Sequence, residues 1–72
     1  MSHKTVGNRV RELREAKGWT QAQLAEKVGV ARQSIISIEK GRFLPTIETA
    51  LGIRAALEHP LEDIFWLKDE TS

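Results

Sequence analysis

The stretch Thr20 to Gly41, TQAQLAEKVGVARQSIISIEKG, leaves this chain few ways to fold. Thr20 followed three residues later by Gln23 has the form of a capping box, in which hydroxyl and amide each satisfy a backbone N–H that a helix start leaves unpaired. Leu24, Ala25 and Val28 then recur at helical spacing and give the helix one apolar face, and Gly29 supplies the residue that takes a left-handed conformation and ends it. After a turn of Gly29, Val30 and Ala31, a second helix is expected from about Arg32 to Lys40, with Ile35 and Ile38 turned inward and Gly41 closing it. Arg32, Gln33, Ile36 and Ser37 are left on its outer side.

The stretches NRVRELREAKGWTQAQLAEKVGV, ARQSIISIEKG and LPTIETALGIRAALEHPLEDIF resemble, in unbroken register over roughly residues 8 to 65, the helix-turn-helix of the Cro/cI-type (Xre) transcriptional regulators. The chain is most similar to the short single-domain members of that family, of the kind of the cytolysin-operon repressor. The resemblance implies an all-α, five-helix, lambda-repressor-like bundle with the helix-turn-helix at its second and third helices. It also implies a sequence-specific regulator of transcription that binds double-stranded DNA.

With 72 residues, the chain reads as one domain, with a core over about residues 7–65 and an extension over 66–72. A single core of this size is only marginally sufficient without help, and dimerisation is one form of help. There is no cysteine, which excludes disulfides and thiolate metal sites; a cytoplasmic protein fits. No apolar run is long enough for a membrane span, and MSHKTVGNR lacks a signal region. The net charge of +1 hides an asymmetry: residues 1–42 carry nine Lys/Arg against four Glu, whereas residues 43–72 carry two against six Asp/Glu. The basic half holds the helix-turn-helix, where a polyanion has to dock.

Ahead of that stretch, His3 to Val6 has strand-like content, and a first helix is expected from Gly7 or Asn8 to Ala16 with Val6, Val10 and Leu13 as its stripe. Trp19 reads as an anchor at the corner between the first two helices. The resemblance implies that Arg14, at the edge of the buried stripe, pairs with Glu39 and fixes the angle between helices 1 and 3. Behind it, Arg42 to Pro45 form a loop, and Thr46 caps a fourth helix, about Ile47 to Leu57, expected to bury Ile47, Ala50, Leu51, Ile53 and Leu57. Gly52 interrupts that helix at about 1 kcal/mol relative to alanine. Glu58 and His59 stand where the family has a helix-ending glycine and a valine, so an irregular end is expected. Pro60 suits the first position of a short fifth helix ending near Phe65. The alternation in FWLKDETS then reads as a brief strand, expected by analogy with the shortest family members to pair with Lys4–Val6. Leu57, Leu61, Ile64, Phe65, Trp66 and Leu67 are expected to contribute to a twofold dimer.

Function follows from side-chain chemistry at the head of the third helix. Arg32 can donate twice to O6 and N7 of guanine, and Gln33 can donate and accept at N6 and N7 of adenine, each worth about 1 to 3 kcal/mol against a wrong base. Ser37 lies one turn on, and Ile36 is placed to pack on a thymine methyl. Thr20, Gln21, Ser34, Lys40 and Arg42 are expected to hold phosphates, setting register and supplying a salt-dependent, sequence-independent share of affinity. Ala31 stands where the family often has serine, at a cost of about 1 kcal/mol in helix capping.

Enzymatic chemistry has no foothold here: His3 and His59 are far apart in sequence, and neither a glycine-rich phosphate loop nor carboxylates at metal-ligand spacing occur beyond the solvent-facing Glu62 and Asp63. No cofactor or metal is implied. The rival function is a protein-interaction or antitoxin-like module that uses the same fold, its acidic back half and Trp66 to hold a protein partner.

Overall fold

The computed structural model describes residues 2–71; Met1 and Ser72 lie outside the described residues. Those residues form, in order, β1 (Ser2–Asn8), α1 (Val10–Ala16), α2 (Gln21–Val28), α3 (Arg32–Glu39), α4 (Ile47–Leu57), α5 (Leu61–Ile64) and β2 (Phe65–Thr71). The result is the expected five-helix bundle with a two-stranded antiparallel ribbon of the chain's two ends. Its core is Val10, Leu24, Ala25, Ile35, Ile38, Ile53, Leu57 and Ile64, with Leu13, Trp19, Val28, Val30, Ala56 and Phe65 packed around it.

The ribbon is longer than the pairing of Lys4–Val6 expected from the sequence. Val6 pairs with Leu67, Gly7 with Trp66 and Asn8 with Phe65, and the register continues outward to Ser2 and Thr71. Val6 therefore belongs to a strand and not to the stripe of helix 1. The cause is Asn8, whose Oδ1 accepts from the Val10 amide at 3.0 Å and so starts α1 two residues later than its apolar spacing suggests. Its Nδ2 donates to the Ile38 carbonyl at 3.0 Å, tying the ribbon to the end of α3. The Arg9 amide donates to the Ile64 carbonyl at 3.0 Å, which joins the inner end of the ribbon to α5.

Helix α4 turns differently from expectation. Ile53 and Leu57 are fully buried, but Ile47 is 81% exposed and Leu51 49% exposed. Positions 47, 51, 54 and 58 form one stripe of the helix and 50, 53 and 57 the adjacent one; the first stripe begins apolar and ends in Arg54 and Glu58, and it faces out. Gly52 accounts for the choice. A Cβ at this position would lie 3.0 Å from Val28 Cγ1, so the missing side chain is what lets α4 settle against α2. The helix ends on Glu58 at φ 59°, ψ 43°, an L-residue in the left-handed conformation and the irregular end expected from the sequence. Pro60 precedes α5 as its N-cap, one position before the expected one.

Candidate nucleic-acid interface

Both helices of the central pair are set by local chemistry. The Gln23 amide donates to Thr20 Oγ1 at 3.1 Å and the Thr20 amide donates to Gln23 Oε1 at 2.8 Å, the reciprocal box expected from the sequence. Gly29 closes α2 at φ 87°, its amide donating to the Ala25 carbonyl. Ala31 precedes α3 with an extended backbone and no side-chain cap, and the helix forms without one because Ile35 and Ile38 are buried in the core. Arg32 and Gln33, in its first turn, are exposed; Ser34, Ile36 and Ser37 are half-buried, and Lys40 and Arg42 are exposed just beyond its end.

The angle of α3 is held by one carboxylate. Glu39, with a side chain 4% exposed, accepts from Arg14 Nε at 2.7 Å, from Arg14 Nη2 at 3.2 Å and from Gln21 Nε2 at 3.1 Å. Arg14 Nη1 donates to the Trp19 carbonyl at 2.7 Å, so the guanidinium also pins the corner between α1 and α2. The hydrogen bond to Glu39 raises the Arg14 pKa above its ordinary value, against the opposing effect of burial, and the Glu39 and Glu15 charges add to the rise. The arginine is thus a fixed cation inside the domain. A single buried carboxylate, neutralised in place by Arg14, thus connects α1, α2 and α3.

The pair implied by the resemblance is therefore present, and the network extends to Gln21. That side chain spends one N–H on Glu39 and retains a second, beside the unpaired backbone N–H groups that any helix start presents. On α3, Gln33 Nε2 lies 3.4 Å from Ser37 Oγ, a long bond across the outer face.

One side chain that the sequence did not single out stands beside this face. Phe43 is 47% exposed and walls a shallow cleft of about 140 Å³ with Gln33, Ser34 and Ser37. The available signal was an aromatic residue in a short loop, outside any helical stripe, directly after the third helix.

The residues expected to form a twofold contact do not share one surface. Leu57 and Ile64 are fully buried in the core and cannot serve as surface residues of the folded chain. Trp66 lies on the opposite ribbon face from Leu67, since neighbouring strand residues point to opposite sides; its ring sits under the Arg9 guanidinium at 5.1 Å. Leu61 and Phe65 line an apolar recess of about 230 Å³ with Val6, Leu44, Pro45 and Ala50. Leu44 of this lining is exposed, as are Ile47 and Leu51 on α4 and Leu67 on β2. Among the described residues no group of three or more His, Cys, Asp or Glu is placed to hold a metal ion, and no helix is long and apolar enough to cross a membrane.

Comparison with known proteins agrees with this geometry. Residues 10–64 match the family described as helix-turn-helix. Over 63 residues the chain is 46% identical to the uncharacterised HTH-type transcriptional regulator YgzD of Bacillus subtilis, covering 88% of this chain and 96% of that protein. It is 38% identical over 53 residues to the immunity repressor protein of Bacillus phage phi105, covering 74% of this chain and 37% of the repressor. The N-terminal DNA binding domain of SinR from Bacillus subtilis superposes with a TM-score of 0.70 at 33% identity, covering 75% of this chain and 80% of that one.

Proposed function

We propose, for a chain that belongs to the helix-turn-helix family of DNA-binding, non-enzymatic transcriptional regulators, that it acts as a homodimeric repressor on an inverted-repeat operator. The observation that carries this reading is the buried Arg14–Glu39–Gln21 network, which fixes α3 with Arg32 and Gln33 directed away from the core. Helix 3 enters the major groove, Arg32 and Gln33 read base edges, and Ser37 and Ile36 complete the face. Thr20, Gln21, Ser34, Lys40 and Arg42 hold phosphates and set register. The likeness to a phage immunity repressor supports repression, by occupancy of a promoter, over activation. In this reading the protein works in the cytoplasm and needs no cofactor.

The twofold contact is assigned to the face of Leu44, Ile47, Leu51, Leu61, Phe65 and Leu67. An isologous interface has to carry its own complement, and this face has both a recess and exposed apolar side chains. A symmetric dimer calls for half-sites about one helical turn apart, near 34 Å.

Selection of bound duplexes from a random library, at two salt concentrations, with the wild type and Gln33→Ala, tests the reading. An enriched inverted repeat that Gln33→Ala blurs at one symmetric position supports it. If no repeat is enriched, or the variant selects the same site as sharply, helix 3 does not read bases. The protein-partner reading then takes its place, with the acidic back half and Trp66 as the docking surface.

A further inference from the structure

Phe43 owes its position to the backbone of the reading helix. Beyond Glu39 the chain folds back on α3: the Lys40 amide donates to the Ile36 carbonyl at 3.1 Å, Gly41 to Ile38 at 3.0 Å and Arg42 to Ser37 at 3.0 Å. Gly41 makes the reversal at φ 73°. The loop is thereby returned along the helix, and the Phe43 ring comes to stand beside Ser34 and Ser37 without entering the core. A large aromatic side chain held by backbone hydrogen bonds against a polar helix face, and half in water, gains little from folding.

The cleft it forms, about 140 Å³, is well below the roughly 300 to 1,000 Å³ of sites that enclose a cofactor or effector. Its lining combines one aromatic residue, Phe43, with three polar ones, Gln33, Ser34 and Ser37. That combination matches one base edge. In the major groove only thymine presents a methyl group beside a lone acceptor, its O4, whereas guanine and cytosine offer no methyl and adenine offers a donor next to N7. The long Gln33–Ser37 contact of 3.4 Å is easily exchanged for a bond to such an acceptor.

We propose that Phe43, together with Gln33 and Ser37, forms a seat for the C5-methyl and O4 of a thymine in each half-site. The proposal rests on helix 3 lying in the major groove. It adds a methyl reader outside the recognition helix, in addition to Ile36.

The test replaces each thymine of the selected operator in turn with deoxyuridine, which removes only the methyl, and measures binding of the wild type, Phe43→Ala and Phe43→Leu. Loss of one methyl contact weakens wild-type binding about three- to five-fold per half-site at one symmetric position. Phe43→Ala binds the two duplexes equally, Phe43→Leu keeps part of the difference, and both melt cooperatively because the ring is outside the core. The proposal is overturned if no thymine is methyl-sensitive, if Phe43→Ala retains the same sensitivity, or if it weakens operator and random duplex alike, which marks a backbone contact. In those cases a site still blurred by Gln33→Ala leaves the reading helix standing; absence of any selected site removes both.

Discussion

The indole of Trp66 occupies the space that a side chain at Gly7 would need: a Cβ built there lies 2.6 Å from Trp66 Nε1 and 2.7 Å from Cε2. The two residues are cross-strand partners, and an aromatic ring laid over a strand glycine supplies the packing that the glycine lacks. Arg9 covers the same ring from above.

Gly7→Ala is therefore expected to lift Trp66 off the ribbon and destabilise the domain by about 1 to 3 kcal/mol, the usual cost of overpacking. Thermal melting followed by tryptophan fluorescence would register both the lower midpoint and the exposed indole. An unchanged midpoint would mean that the ribbon shifts freely against α1.

Arg14→Ala strands the Glu39 carboxylate in a buried place with only Gln21 as donor. A loss of about 3 to 5 kcal/mol is expected, as judged by urea unfolding. The Arg14→Ala/Glu39→Gln double variant should recover part of that loss, since the unpaired charge is gone. Additive losses would show that the two residues act independently.

Ala31→Ser restores a capping hydroxyl at a position whose backbone is already extended, φ −71° and ψ 149°. Stability should rise by about 1 kcal/mol. No rise in the melting midpoint would show that α3 is set by its buried isoleucines alone.

Glu58→Gly relieves an L-residue held in the left-handed conformation, at the expense of the exposed 3.2 Å contact with Lys17. Surface ion pairs of this kind contribute little, and the conformational gain is about 1 kcal/mol. The variant is expected to be more stable than the parent, and a decrease in unfolding free energy would assign the helix end to the ion pair instead.

Much of the α2–α3 pair was legible because its determinants are local. Thr20 with Gln23, and Gly29 eight residues further than Gln21, mark both ends of α2 through hydrogen bonds made within a few residues. Where the sequence misled, two patterns competed. Val6 lies four residues before Val10, a helical spacing, but the Asn8 side chain and the pairing with Leu67 put it in a strand. Ile47 and Leu51 look as buried as Ile53 because α4 begins with apolar residues on adjacent stripes; which stripe faces in is decided by Gly52 against Val28, a contact remote in sequence. Trp66 and Leu67 are neighbours in the chain, and strand geometry separates them onto two faces. Phe43 follows no periodicity, so only the fold-back after Gly41 gives it a place.

The pairing of Ser2 with Thr71 brings the outer ends of β1 and β2 together, about 5 Å apart at their Cα atoms. The β1–β2 ribbon thus closes the described chain on itself, with α2 and α3 inside the circuit. Anything fused at either end departs from one and the same point, so this unit can be carried as an inserted cassette or circularly permuted at another loop without passing through α2 or α3.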